Sequence, residues 1–226
     1  MADAQFVTAD RHSTVVATNK VLRNTYMLLS MTLLFSAAMA ATAMAMDVQH
    51  MGFLPLLVAF GVMFAINKFR NSIWGLVLTF AFTGILGFSL GPILNLYMAT
   101  AAGTQTVITA ASLTGMIFLS LSGYTLVTKK DFSFMSGFLM TGMWVVIGAM
   151  LLMFVGSFFG FYVSGLHLAL SAAIVILMSG FILYDTSRII NGGETNYIMA
   201  TVSLYLSIYN LFVSLLQLLG VFGGDE

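Results

Sequence analysis

Only one acidic side chain falls inside a long apolar run: Asp185, within FILYDTSRII at residues 181–190. A carboxylate in hydrocarbon can exchange a proton or ligate a cation, and intramembrane ionisable residues tend to mark such pathways. Its insertion at a helix centre costs ~2.5–3.5 kcal/mol, against ~0.3–0.6 kcal/mol returned by each Leu, Ile, Val or Phe. Residues 166–190 hold enough of these to tolerate it. Arg188 follows three residues later, close enough for an i, i+3 pair. Two readings stay open: an Asp185–Arg188 pair anchoring the cytoplasmic end of the helix, or a proton-sensitive latch or cation ligand.

The following apolar run carries a second pattern. Asn196, Ser203, Ser207, Asn210, Ser214 and Gln217 recur at spacings of seven, four, three, four and three, which at 3.6 residues per turn places them on one face. Polar groups facing lipid go unpaired, so this seam is expected to turn into a bundle. It serves either interhelical hydrogen bonds or a hydrated path for a cation or proton. In the third run, Gly87 and Gly91 form a G-x-x-x-G step that admits a neighbouring backbone, and Pro92 removes an amide donor and predicts a bend.

These residues need a membrane to position them. Apolar residues make up 60% of the 226, charged residues 7%, and the mean hydropathy is +1.01, far from a soluble domain. Seven apolar runs, at about 24–46, 51–67, 73–99, 106–128, 132–158, 166–190 and 197–222, predict an all-α protein of seven transmembrane helices in the lipid bilayer. Residues 1–23 are mixed and polar and read as a tail without regular structure, followed by one transmembrane domain over 24–226. All eight Lys and Arg lie in that tail or at alternate breaks: Arg11, Lys20 and Arg23, then Lys68 and Arg70, Lys129 and Lys130, and Arg188. The positive-inside rule then predicts a cytoplasmic N-terminus and a C-terminus outside. The first run is longer than a signal-peptide core and is expected to stay as a helix.

Several function classes drop out. A net charge of zero with no basic cluster beyond Lys129 and Lys130 argues against nucleic acid. Without cysteine there is no thiolate metal site, and His12, His50 and His167 do not cluster. The lone membrane carboxylate lacks the second acid of an aspartyl protease, and no Ser–His pair or H-E-x-x-H appears. No enzymatic activity and no cofactor are expected.

FILYDTSRII at 181–190, LYLSI at 204–208 with NLF at 210–212, Gly87 with LGP at 90–92, and KKDFSF at 129–134 followed by Gly137 resemble the Bax inhibitor (transmembrane Bax inhibitor motif) family. The resemblance covers essentially the whole chain. TNKVLRNTY at 18–26 and GGETNYI at 192–198 are most similar to its bacterial YccA-like branch. The resemblance implies a seven-helix fold with a central last helix in a bacterial inner membrane. It also implies a carboxylate pair between helices six and seven that acts as a pH-sensitive latch on a calcium leak. Asp185 matches the first acid of that pair, while Ser207, which cannot ionise, stands at the second. For the bacterial branch it implies a protein that binds and restrains the membrane-anchored AAA protease FtsH, with the cytoplasmic tail as a handle.

Overall fold

Nothing in the first 51 residues breaks a helix, since the first glycine is Gly52 and the first proline Pro55. In the computed structural model the chain accordingly opens on α1, Ala2–Ala45. Residues 1–23, expected without regular structure, are thus helical from Ala2. Their polar composition hides the helix from a periodicity argument without opposing it, because Ala, Gln, Leu, Lys and Arg are good helix formers. The structure describes the backbone of residues 2–160 and 165–222 and the side chains of 18–160 and 165–221. The tail residues Asp3, Asp10, Arg11 and His12, and the terminal Asp225 and Glu226, have side chains outside that set.

Six further α-helices follow: α2 Leu54–Phe69, α3 Ile73–Met98, α4 Gly103–Thr128, α5 Ser136–Phe158, α6 Leu166–Ile190 and α7 Tyr197–Phe222. A 3₁₀ turn, Ser133–Met135, leads into α5. No strand occurs among the described residues. All but α2 are long and apolar enough to cross a bilayer, and α2 is a shorter apolar helix of 16 residues that carries a proline in its first turn. Large apolar side chains such as Ile73, Val127, Leu152 and Phe158 stand exposed. So much exposed hydrocarbon is the surface of a multi-pass membrane protein.

The chain forms two compact units. The first comprises residues 1–96 and 187–205, the second 97–186 and 206–226. In the first, α1 and α3 meet through glycine. A side chain at Gly87 would run into the carbonyl and hydroxyl of Ser36, and one at Gly91 into Ala43. A Cβ on Gly84 would lie 2.8 Å from the Phe35 ring. Lipid tails are as apolar as leucine, so association rests on this closeness of approach. Pro92 is buried within the continuous α3. In the second unit the contact of α5 with α6 is reciprocal. Buried Leu177 fills the space above Gly142, and buried Leu139 the space above Gly180, where added Cβ atoms would come within 2.5 Å and 2.7 Å.

Not every glycine has this role. Gly115 on α4 has nothing within 4 Å of an added Cβ. Gly87→Val is therefore expected to destabilise by about 1–3 kcal/mol through overpacking. Gly115→Ala should be neutral or stabilising by up to ~1 kcal/mol through helix propensity. Unfolding in detergent micelles checks both, and equal effects would contradict the assignment.

Candidate functional site

The link from α6 to α7 is short because both helix ends are capped. Gly192 takes φ +75, its amide donates to the Ile189 carbonyl at 3.4 Å, and the Gly193 amide donates to the Arg188 carbonyl at 2.8 Å. That is the Schellman arrangement, which needs the left-handed residue that glycine supplies. Three residues on, Asn196 starts α7. Its Oδ1 accepts from the amides of Ile198 and Met199, both at 3.0 Å, as an N-cap should. Its Nδ2 donates to the Arg70 carbonyl at 3.0 Å and to Asn71 Oδ1 at 2.8 Å, which fastens this loop to the α2–α3 link.

Glu194 lies between these caps. One carboxylate oxygen accepts from the Asn196 amide at 2.9 Å and the other faces Arg188 Nη2 at 3.5 Å. Arg188 also donates to the Gly193 carbonyl at 3.3 Å. Arg188 thus has a partner in Glu194 that helix spacing alone does not offer. Only the turn at Gly192 brings Glu194 back within reach. The pair is partly exposed, with Arg188 at 38% and Glu194 at 22%, so its geometric role outweighs its energetic one.

Asp185 is 5% exposed on α6, and its neighbours Thr186 and Ser187 are buried as well. Thr186 Oγ1 lies 3.4 Å from Ser122 Oγ of α4, so this stretch of α6 is polar and enclosed. Ser207 on α7 is 4% exposed. Among the described residues no three His, Cys, Asp or Glu gather as a metal site. A calcium ion at Asp185 would therefore need hydroxyl, carbonyl and water oxygens to complete its 6–8 ligands.

The polar seam shares one face of α7, at the edge of its buried side. Thr201, Leu204, Tyr205, Ser207, Ile208, Leu211, Ser214 and Leu216 are all buried, an arc of somewhat more than half of the α7 circumference. The seam runs along the border of this arc. Ser207 and Ser214 are buried, Ser203 and Asn210 half-buried, and Gln217 exposed. Gln217, though exposed, still meets α6 through Ser171, and Asn196 serves as the cap of α7. Local bonds make this border tolerable. Ser171 Oγ donates to Gln217 Oε1 at 2.7 Å, and Asn210 Nδ2 donates one turn back to the Leu206 carbonyl at 2.9 Å.

A polar group that the sequence reading missed sits in the first unit. Tyr205, 1% exposed, donates its hydroxyl to the Thr83 carbonyl at 3.2 Å, and Ser36 Oγ lies 2.7 Å from the same oxygen. Since the phenol has one proton, Ser36 is the donor in the second bond. One side chain of α7 thereby joins α1 and α3 beside Gly87, whose missing side chain leaves room for Ser36. The Phe82 ring packs edgewise on Tyr205, with centroids 6.1 Å apart. An available signal was that a buried tyrosine usually finds a partner for its hydroxyl.

Comparison with known proteins agrees with this architecture. Residues 18–224 match the family model described as inhibitor of apoptosis-promoting Bax1. The chain is 51% identical to an uncharacterized protein of Pseudomonas aeruginosa over 91% of each chain. It is 50% identical to an uncharacterized membrane protein of Vibrio cholerae over 92% of each. It is 47% identical, over 96% of each, to a protein of Escherichia coli named modulator of FtsH protease YccA.

Removing either hydroxyl of the buried pair should cost about 1–2 kcal/mol. Tyr205→Phe and Ser36→Ala combined should cost less than the sum, by a coupling of about 0.6 kcal/mol or more. A double-mutant cycle on unfolding free energy measures this, and strict additivity would contradict the bond.

Proposed function

This chain belongs to the Bax inhibitor family, and we propose that it is a non-enzymatic, multi-pass inner-membrane protein that binds a membrane-anchored AAA protease of the FtsH type and restrains it. The observation that carries this reading is the 47% identity, over nearly the full length of both chains, to the Escherichia coli protein named modulator of FtsH protease. A second relative carries the name inner membrane protein YccA. α1 fits the reading in its length. Its 44 residues extend about 66 Å, roughly twice a ~30 Å hydrocarbon core. The distribution of Lys and Arg supports a cytoplasmic N-terminal part, which would offer the protease a handle.

Affinity capture from native membranes at native expression should recover the protease, and overexpression should slow turnover of a protease substrate. Deleting residues 2–17 should reduce both effects. Repeated failure to recover the protease, with unchanged turnover, would end this reading.

The burial of Asp185 on α6 and of Ser207 on α7 favours a second reading, a pH-sensitive calcium or proton leak. Proteoliposomes of this chain should then carry a flux that Asp185→Asn lowers and that Ser207→Asp renders more steeply pH-dependent, since two carboxylates sharing a site titrate as a coupled pair. Flux indistinguishable from empty vesicles rules the leak out.

A further inference from the structure

The first unit contains a groove of about 530 Å³ between α1, α2 and α3. Phe35 of α1, Leu54 and Val58 of α2, and Phe80, Ala81 and Phe88 of α3 form its walls, and every residue lining it is apolar. Its volume is that of a small-molecule site. No side chain in it could pair with a polar solute, whose burial there without a partner would be costly. The occupant that the walls suit is hydrocarbon.

The groove's length also suits a stretch of acyl chain. From Phe88 to Phe80 it follows α3 for eight residues, about 12 Å, close to the ~15 Å depth of half a hydrocarbon core. At its Phe88 end lies a notch of about 20 Å³ lined by His50 and Ser89, which shares Met51 and Pro55 with the groove. That volume is enough for one water or a single polar group. An apolar trough ending at a small notch that holds the His50 imidazole and the Ser89 hydroxyl, the latter donating to the Leu86 carbonyl at 2.7 Å, has the polarity pattern of an amphiphile. The floor is firm. Gly84 lets the Phe35 ring lie against α3, and Phe35 meets Phe80 edge to face with centroids 5.6 Å apart.

We propose that this groove binds one acyl chain of a phospholipid, with the head group beside His50 and Ser89. The groove differs from the exposed surface of α5 in being lined by three helices, so the bound chain exchanges more slowly than bulk lipid and stays with the protein.

Brominated-lipid quenching tests this on the full chain, delipidated in detergent, with Trp74 and Trp144 replaced by Phe. Tryptophan is placed at the groove rim by Leu54→Trp or on the exposed face of α5 by Leu152→Trp. Titration with a phospholipid brominated on its acyl chain should give saturable quenching at the rim, at about one lipid per chain as a single groove requires, and non-saturable quenching on α5. Filling the groove by Ala81→Phe, or from the opposite wall by Val58→Phe, should weaken rim quenching about tenfold, the change expected when about two methylenes are no longer buried. Thermal unfolding identifies which filling variant remains folded. His50→Ala should weaken phospholipid binding and leave a brominated free fatty acid unaffected. Equal, non-saturable quenching at both positions, or unchanged rim quenching in a folded filling variant, would overturn the site. Equal binding of fatty acid and phospholipid, insensitive to His50→Ala, would overturn the head-group assignment.

Discussion

The backbone contact between α1 and α3 is the interaction on which the first unit depends. In water two such helices would be pressed together by the apolar surface they hide, but in a bilayer hydrocarbon awaits them on either side. Their association must come from dispersion at short range and from polar groups brought within bonding distance. Gly87 and Gly91 remove the side chains that would hold the helices apart. Ser36 then comes near enough to Thr83 for the hydroxyl of Tyr205 to serve both. Packing and hydrogen bonding here are one arrangement, since the bonds exist only at a separation that the glycines permit.

Much of the fold could be read from the chain alone. The bounds of α6 and α7 coincide with the apolar runs because Gly165, Gly192 and Asn196 punctuate them, each with a definite backbone task. The glycine step of α3 was legible for the same reason. What escaped was information that period alone does not carry. Polar residues at helical spacing reveal a common face but not its bearing on the core, which is why Gln217 lies exposed although Ser214, one turn earlier, is buried. A cap and a seam residue share that spacing too, and Asn196 turned out to be the cap. Arg188 reaches Glu194 through a turn whose geometry no helical wheel represents. The helix before residue 24 was invisible because an amphipathic stripe is evidence for a helix while its absence is evidence of nothing.

The candidate site was legible in part. Asp185 stood out by type and surroundings, and it is buried as an unusual carboxylate in an apolar run should be. Its environment is richer than the apolar run suggested, with Thr186 and Ser187 enclosed beside it and Ser122 reaching Thr186 from α4. Small hydroxyls of this kind turn back to their own helix or cross to a neighbour at little steric cost.

The brevity of α2 has a consequence for the membrane itself. Its 16 residues rise about 24 Å, some 6 Å less than a ~30 Å hydrocarbon core. Lys68 and Arg70 at one end can extend their charged heads to the interface, and the rest of the shortfall falls on the lipid. Hydrophobic mismatch of this kind costs a fraction of a kcal/mol per Å and is relieved by local thinning. Were α2 to cross the bilayer, the lipid beside it would thin locally, and bilayer thickness would become a variable that sets where such a protein resides and which other short-spanned proteins gather beside it.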